Sequence, residues 1–421
     1  MGLGHKKAID IMKKASGCEL EERSVTQIPH GFLAILKGKP QVVCVTDGPC
    51  AFADRLECVI DEYRYGTRLR FADMNNKNSQ TLRFFLKWTA PTAITAEKSS
   101  IGFEDDFGLL LPVAVQELQD RNIKPVLMSH LGSNEKLSLA MGDAAWQALT
   151  AGLLNGYAAE YSYAKSEQEI MNALLCGYTG IVIDIVDKID RNVFALPEQA
   201  LANRFNKFPD DFQKALRLSY LNKTFTICQI EDFSYTDAEL QKYALCYGEA
   251  IAFAQYIYNA YFKNTPWPVD FTLYIGEFDL PYKEHYLLAN ELTRVGVKLA
   301  AIQLNPTLPS FLHNAQVASS FAHKIRIISS DTTCKVLSKV TCHFDLRPRP
   351  GSSLLFAYDI CKQKEPDLAK EISAENVEYD DLLNKLTQNK GKLQTFLLQN
   401  KDAYYDLFRI SFIKDIESLT I

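Results

Sequence analysis

The 421-residue sequence contains no apolar run that approaches the ~18–20 residues needed by a membrane-spanning helix. Its start, MGLGHKKAIDIM, is basic but leads into neither an apolar stretch nor a small-residue cleavage site, so we expect no signal peptide. The excess of basic residues that marks nucleic-acid-binding proteins is also missing, because 46 lysines and arginines face 51 aspartates and glutamates. These absences predict a cytoplasmic protein that binds neither nucleic acid nor membrane.

Several short motifs are missing as well. The ten cysteines include no C-x-x-C pair, which leaves zinc-ribbon and thioredoxin-like folds without support. No G-x-G-x-x-G, no G-x-x-x-x-G-K-[ST] and no internal repeat occurs, which weakens the Rossmann and P-loop alternatives. With 47% hydrophobic and 23% charged residues, the chain is typical of a globular protein with a large core. We expect its cysteines to be reduced and structural.

From about residue 94, short apolar runs alternate with longer segments of helical period. This alternation predicts an α/β fold built from βα units around a parallel sheet. Six strands are predicted, at 125–129, 180–185, 271–275, 298–303, 324–328 and 341–346. Six or more units over ~250 residues fit a (β/α)8 barrel better than an open sheet. We therefore predict a TIM-like barrel over residues 91–365.

Two smaller regions flank the predicted barrel. Residues 1–90 have the pattern of a small N-terminal α/β unit. Its predicted elements are helices at 5–16 and 51–63 and strands at 31–37 and 41–46. Residues 366–421 are helical and charged, and their apolar side chains recur at helical spacing. Such a stripe is typical of a packing face, so we expect this C-terminal helical segment to pack on the barrel.

The active site of such a barrel lies at the carboxyl ends of its strands, so polar residues there are the candidates. They are His130, Asp184, Asp187, Glu277, Asp279, His285, Ser329, Ser330, Asp331, His343, Asp345 and Arg347. Each of them, taken singly, could instead cap the following helix or face solvent. Glu277, Asp279 and His285 stand out as a group. A carboxylate leaving a strand and an imidazole on the next helix are common ligands of one divalent metal.

Five segments, in the same order along the chain, resemble the motifs of one known family. They are SSIGFEDDFGLLLPVAV (99–115), MGDAAWQALTAGLLNGY (141–157), CGYTGIVIDIVDKID (176–190), YIGEFDLPYKEHYLLANELTRVGVK (274–298) and FDLRPRPGSSLLFA (344–357). The first keeps Asp105 of the pattern S-x-G-x-G-D-R-x-G-x-x-T-P-x-H, and the fourth places Glu277 on a family glutamate and His285 on the family histidine. Through these segments the chain resembles the tagaturonate epimerases, which interconvert tagaturonate and fructuronate in bacterial hexuronate catabolism.

The sequence departs from the family pattern at several histidines. Residues Ala114, Tyr163, Lys188 and Ile328 stand where the family has histidine, and Arg347 stands where it has lysine. The family reaction inverts a carbon two bonds from a ketone, for which retro-aldol cleavage and reclosure provide a route. That route needs a Lewis-acid metal, a base near neutrality and cationic groups for the substrate carboxylate. The lost histidines therefore predict an eroded active site.

The resemblance implies roles for individual residues. The catalytic residues that it implies are Asp184, Glu277 and Asp105. The ligands that it implies for a divalent metal (zinc, manganese or nickel) are Glu277 and His285, and His130, at the end of a neighbouring strand, is the predicted substitute for a lost ligand. The residues that it implies for binding a small-molecule sugar acid are Lys165, Arg347 and Ser329.

Three functions stay open at this point, and whether the protein is an enzyme is left open with them. It is a sugar-acid epimerase of hexuronate metabolism with a rebuilt metal site, or an inactive family member that binds a sugar acid or a protein partner. In the third interpretation, the barrel carries other metal-assisted chemistry on carbohydrates. An inactive member would need no cofactor. The sequence leaves the oligomeric state undetermined.

Overall fold

The computed structural model describes residues 3–94, 98–130, 134–153, 156–227, 232–329, 337, 342–373 and 377–420. The chain begins with an antiparallel sheet. Its strands are β1 (Thr26–Ile28), β2 (Gly31–Ile35), β3 (Gln41–Thr46), β4 (Cys58–Arg64) and β5 (Thr67–Asp73), in the spatial order β1-β2-β3-β5-β4. The helices of this unit are α1 (His5–Ser16), α2 (Ala51–Arg55) and α3 (Asn76–Phe85).

The hairpin of β4 and β5 replaces a predicted helix. A helix is predicted over 51–63, but α2 ends early and most of the remainder forms β4, so this prediction is wrong. Arg64 pairs with Thr67, which leaves Tyr65 and Gly66 as a two-residue turn with φ values of 57° and 76°. Two positive φ angles are those of a type I′ turn, whose twist matches that of paired strands. The turn and the pairing with β5 therefore decide the local structure.

The centre of the molecule is a closed barrel of eight strands, each paired in parallel with both neighbours. In their order around the barrel the strands are β6 (Ser100–Glu104), β7 (Lys124–His130), β8 (Ala158–Ala164), β9 (Gly180–Asp184), β10 (Asp270–Tyr274), β11 (Ala301–Gln303), β12 (Lys324–Ile328) and β13 (Phe344–Arg347). β13 pairs with β6 and closes the ring. The predicted α/β fold with a (β/α)8 barrel is confirmed.

Helices connect the barrel strands. They are α4 (Leu111–Glu117), α5 (Asn134–Ala151), α6 (Glu167–Cys176), α7 (Glu198–Phe205), α8 (Asp210–Tyr220), α9 (Asp237–Ile257), α10 (Tyr282–Arg294) and α11 (Phe311–Ser320). Ser166 and Thr236 begin α6 and α9 with capping boxes, in which the hydroxyl and a glutamate three residues later satisfy two free backbone N–H groups. No helix in the described part of the chain is long and apolar enough to cross a membrane.

The chain ends in five further helices. They are α12 (Ser352–Lys364), α13 (Pro366–Ile372), α14 (Tyr379–Gln388), α15 (Lys390–Gln399) and α16 (Lys401–Thr420). The last three bury an apolar stripe of Leu386, Leu393, Phe396, Leu397, Tyr404 and Phe408. Phe408 and Phe412 also meet Phe103 of β6 edge to face, with ring centroids 6.1 and 6.3 Å apart. These contacts join the C-terminal helices to the wall of the barrel.

Two of the barrel strands, β6 and β8, are missing from the strands predicted by sequence. β8 has the sequence AAEYSYA, which contains no continuous apolar run. Its Glu160 and Ser162 are nevertheless buried, and they hydrogen-bond to each other at 3.0 Å. The interior of this barrel is therefore partly polar, and an apolar run is a poor signal for a strand that lines it.

Candidate functional site

The interior of the barrel holds one carboxylate between two arginines. Glu160 of β8 meets Arg326 of β12 and Arg347 of β13, and all three side chains are buried. Arg326 donates from Nε and Nη2 to Glu160 Oε1, at 3.1 and 2.8 Å. Arg347 donates from Nε and Nη2 to Oε2, at 3.0 and 2.8 Å. Two planar guanidinium groups thus bind the two oxygens of a single carboxylate.

This cluster holds Glu160 ionised and occupies Arg347. Burial by itself raises the pKa of Glu160, but the charges and hydrogen bonds of Arg326 and Arg347 outweigh burial and hold that pKa well below its usual range. Arg347 also donates from Nη1 to Ser100 Oγ and to the Leu346 carbonyl, at 2.9 and 3.0 Å. The arginine predicted to hold the substrate carboxylate would therefore have to give up bonds of the core to do so.

A second charged group fills the amino end of the barrel. Asp345 accepts hydrogen bonds from Lys324 Nζ and Ser100 Oγ, both at 2.6 Å. Asp270 accepts one from the backbone N–H of Ile94 at 2.7 Å. Burial raises the pKa of Asp270 to about 7, while the charge of Lys324 acts in the opposite direction.

His343 and Asp345 do not lie at the mouth, contrary to the prediction. The strand predicted at 341–346 would place both near its carboxyl end, but β13 begins only at Phe344. His343 precedes the strand, and Asp345 pairs with the first residue of β6. Both residues therefore lie at the end of the barrel opposite to the active-site end.

A bulge near the end of β8 turns Tyr163 across the mouth. The pairing of β8 with β9 shifts register there, and Tyr163 has a φ of 63°, a conformation that costs a non-glycine residue ~1 kcal/mol or more. Its hydroxyl donates to Gln303 Oε1 at 3.1 Å and accepts from Arg326 Nη1 at 3.4 Å. Its ring meets Tyr274 edge to face, with centroids 5.0 Å apart. Gln303 belongs to β11, three strands away from β8. Tyr163 therefore spans the barrel above its ionic interior.

Three of the predicted residues come together on one side of the mouth. The Nζ atom of Lys165, which follows β8, lies 3.5 Å from Asp184 Oδ2 at the end of β9. The lysine side chain is 66% exposed and that of the aspartate only 11%, so the pair borders solvent. Glu277 is the third of these residues, and the charges of both Asp184 and Glu277 act on the hydroxyl group of Tyr274. Burial and then these negative charges raise its pKa to about 12.

A cleft of about 210 Å³ opens beside these residues. Its walls are formed by Glu277, Gln303, Leu304, Asn305, Pro306, Thr307, Ile328, Ser329 and Arg349. The cleft is smaller than the ~300–1,000 Å³ of sites for drug-sized ligands, and amide, hydroxyl and charged groups line much of it. It therefore suits a small polar ligand. Of the predicted site residues, Glu277 and Ser329 border it.

Ser329 links the cleft to the C-terminal helices. Its hydroxyl donates to Asp415 Oδ1 of α16 at 2.6 Å, and its backbone N–H donates to the Arg347 carbonyl at 2.7 Å. Burial raises the pKa of Asp415, and the hydrogen bond from Ser329 acts in the opposite direction. A helix far along the chain thus fixes one wall of the cleft.

Arg349 is a cleft residue that the sequence analysis missed. Its side chain is exposed and makes no hydrogen bond or ion pair within the part of the chain that the structure describes. It stands two residues beyond the end of β13, in the run R-P-R-P-G. The sequence feature that could have identified Arg349 is a positively charged residue just beyond the end of a strand. Because the predicted strand ends at 346, one residue before the end of β13, Arg347 was predicted to be the residue just beyond the strand.

His285 lies in the first turn of α10 but is buried within the helical layer. Its Nδ1 lies 3.1 Å from Asn314 Oδ1, and its Nε2 lies 3.0 Å from His323 Nε2. Asn314 donates from Nδ2 to the Leu280 carbonyl at 2.7 Å, which directs its Oδ1 to the histidine. This network assigns the proton of His285 to Nδ1 and makes Nε2 the acceptor from His323. Burial lowers the pKa of His285 to about 4 and that of His323 well below its usual value.

Asp105 is bonded to the start of α4. Its carboxylate accepts from the backbone N–H groups of Leu109, Leu110 and Leu111, at 2.8, 2.9 and 3.4 Å. Burial raises the pKa of Asp105 to about 6, and these backbone bonds oppose the rise. Asp105 therefore orders the loop that leads into α4.

The remaining candidates are dispersed. Asp279 accepts from the backbone N–H and hydroxyl of Ser310, at 3.1 and 3.0 Å, just before α11. Asp187 is exposed. The side chain of His130, together with Ser330 and Asp331, lies outside the described residues.

The described side chains do not form the donor set that a catalytic metal needs. Within the described ranges, no three histidine, cysteine, aspartate or glutamate side chains lie close enough to share an ion. Catalytic zinc sites typically use three protein ligands. Glu277 is exposed at the mouth, while both ring nitrogens of His285 are bonded to Asn314 and His323. Glu277 therefore lies at the solvent-exposed mouth, and His285 lies in the buried helical layer.

Comparisons with known proteins agree with one another. A family model described as tagaturonate epimerase matches residues 22–307. The tagaturonate/fructuronate epimerase of Thermotoga maritima is 26% identical over 247 residues, which are 57% of this chain and 50% of that protein. The match thus spans half the length of that relative. Native and glycerol-bound crystal structures of the fructuronate-tagaturonate epimerase of Cohnella laeviribosi share the fold with a TM-score of 0.80, at 20% identity, over 98% of this chain and 99% of theirs.

Proposed function

The chain belongs to the tagaturonate epimerase family, and we propose that it interconverts two epimeric hexuronates, of the tagaturonate and fructuronate class, at the mouth of the barrel. The observation that carries this proposal is the family match over residues 22–307. That range includes Lys165, Asp184 and Glu277, which supply one ammonium group and two carboxylates beside a cleft of the size of a small polar ligand.

In the proposed reaction, Asp184 accepts the proton of the hydroxyl group on the carbon to be inverted. The bond between that carbon and the carbon next to the ketone breaks. The first carbon becomes an aldehyde, and the bonding pair moves into an enediolate that includes the former ketone oxygen. The Lys165 ammonium group stabilises the negative oxygen. After the aldehyde turns over, the bond forms again on its other face, and Asp184 returns the proton to the new alkoxide. No atom or electron is gained or lost.

The test is to incubate the protein with fructuronate or tagaturonate and to follow the appearance of the other epimer by NMR. Asp184→Asn should lower kcat ~10²–10⁴-fold, because the amide cannot accept the proton. Asp211→Asn, an equivalent change at an exposed position in α8, serves as the control and should leave kcat unchanged. Absence of epimer from either sugar, with zinc, manganese and nickel each supplied to the wild type, would contradict the proposal.

A second candidate function is that of an inactive family member that binds a sugar acid. The observation that favours it is the absence, among the described side chains, of three metal ligands in one place. A divalent metal held by Glu277, His285 and His130 stays a proposal, drawn from the family resemblance for the first two residues and from its strand-end position for His130. Stoichiometric metal in the wild type that is lost in Glu277→Ala would support the metal site. Metal-free protein that is stabilised by hexuronate but produces no epimer would support the binding function.

A further inference from the structure

We propose that Arg349 binds the carboxylate of the sugar acid and thereby selects acids over neutral sugars. This inference rests on the proposed function, because it places a hexuronate in the cleft at the mouth. It assigns to Arg349 the role that the family resemblance implies for Arg347. The family match ends at residue 307, so this residue belongs to a part of the cleft that the match does not reach.

The backbone of Arg349 is fixed by a tight turn. The backbone N–H of Ser352 donates to the Arg349 carbonyl at 3.3 Å, and Gly351 has a φ of 81°. Proline and then glycine at the two central positions, with positive φ at the second, are those of a type II turn. The hydroxyl of Tyr379 donates to the Pro350 carbonyl at 2.6 Å and ties the turn to α14. A cation on such a support loses little backbone entropy when it binds a ligand.

The guanidinium group of Arg349 lines the cleft and has no hydrogen-bond or ion-pair partner among the described residues. Within the described residues, Arg326 and Arg347 are bound to Glu160, and Lys165 is paired with Asp184. Arg349 has no such partner there. Guanidinium groups bind carboxylates through two parallel N–H bonds, which is the interaction that a sugar acid offers and a neutral sugar does not.

The composition of the cleft gives the ligand one orientation. Arg349 and Glu277 both line it, so the cleft carries a cation and an anion. A carboxylate is attracted to the first and repelled by the second. The hydroxyl groups of the ligand then face the polar walls formed by Asn305, Thr307 and Ser329. The acid group is thus held at the end of the cleft that lies on the side of β13.

The experiment measures binding of fructuronate and tagaturonate by calorimetry to the full chain and three variants. Arg349→Ala should weaken binding ~10- to 100-fold, the loss expected for a charge-assisted bond. Arg349→Lys should restore part of the affinity, because it keeps the charge but not the planar fork. Arg121→Ala, at another exposed arginine, is the matched control and should bind like the wild type. Fructose and tagatose, which lack the carboxylate, should discriminate far less between the wild type and Arg349→Ala.

The outcomes separate this inference from the proposed function. If the wild type binds a hexuronate and Arg349→Ala binds it equally well, Arg349 is not the carboxylate site, while the proposed function stands. If the wild type binds neither hexuronate, the proposed function fails and this inference with it. The thermal unfolding midpoint of unliganded Arg349→Ala should equal that of the wild type, since the side chain makes no bond in the described fold. A large drop in that midpoint would mean a structural role and would overturn the assignment.

Discussion

The interior of the barrel and its mouth contain the same kinds of charged groups in opposite arrangements. In the interior, Arg326 and Arg347 are buried and share Glu160. At the mouth, Arg349 and Glu277 are accessible to solvent and face a cleft. A buried charge must be compensated by bonds within the protein, whereas an accessible one remains available to a ligand. The difference separates the arginines that hold the barrel together from the arginine that we assign to the substrate.

The strongest test of this comparison removes the interior carboxylate. Glu160→Gln leaves two buried guanidinium groups without an anion, so we expect the free energy of unfolding to fall by ~3–5 kcal/mol, as measured by urea unfolding near neutral pH. Glu277→Gln makes the same chemical change at the mouth and should alter that free energy by no more than ~0.5 kcal/mol. Equal losses in the two variants would mean that burial does not distinguish the two regions.

Removing the whole interior cluster sharpens the comparison. A variant with methionine at positions 160, 326 and 347 leaves no unpaired charge, and its loss should be smaller than that of Glu160→Gln alone. A larger loss would show that the cluster stabilises the barrel beyond the mutual compensation of its charges.

His285 and His323 form a buried polar pair. This pair is neutral, whereas the cluster of Glu160, Arg326 and Arg347 is charged. Below the ordinary histidine pKa of 6.5 the unfolded chain takes up protons, whereas His285 in the folded chain does so only near pH 4. The unfolded state therefore binds more protons between these two pH values. As the pH is lowered from 6.5 to about 4, the free energy of unfolding should decrease, by ~3 kcal/mol from His285 alone. Urea unfolding across this window measures the loss.

The matched protein for this measurement carries His285→Gln and His323→Gln together. Asp270 and Asp105 have raised pKa values, so their contribution to stability is lost as pH rises and opposes that of the histidines. Both aspartates are present in the wild type and in the double variant, and subtraction of the two profiles removes them. Parallel profiles would show that the pair is not neutral in the folded protein.

The barrel could be predicted because most of its strands are apolar runs between helices, and this pattern depends only on local sequence. β8 escaped because its inward positions hold Glu160 and Ser162, whose burial depends on partners distant in the chain. The helix predicted over 51–63 failed for a similar reason, since the pairing of β4 with β5 decided its structure. Tertiary contacts outweighed local pattern in both cases.

The site was harder to predict than the fold because small displacements along a strand change what a side chain meets. Arg347 and Arg349 are two residues apart, yet the first points into the ionic core and the second lines the cleft. His285 was placed correctly in the first turn of its helix, but its surroundings come from Asn314 and His323 on later elements. Strand ends identified Asp184 and Glu277, and the family resemblance identified Lys165. The parallel barrel brings all three residues to one rim.

Asp105 should give an intermediate effect. Asp105→Ala removes an acceptor for the backbone N–H groups that precede and begin α4, and we expect the free energy of unfolding to fall by ~1–2 kcal/mol in urea unfolding. Hexuronate turnover by the folded variant tests the catalytic role that the family resemblance implies. A fall in kcat without a loss of stability would favour a catalytic role over a structural one.

Lys165 should give the smallest change in stability, because an exposed ion pair adds little to the free energy of unfolding. Lys165→Met removes the 3.5 Å contact with Asp184 and should change that free energy by no more than ~0.5 kcal/mol. If the ammonium group stabilises the enediolate oxygen as proposed, the same variant should lower kcat ~100-fold or more. Urea unfolding and the NMR assay on one preparation measure both quantities. A variant that loses stability but keeps its turnover would show that Lys165 has a structural role at the rim. Lys165 would then belong with the paired charges of the interior and not with the charges at the mouth that are available to a ligand.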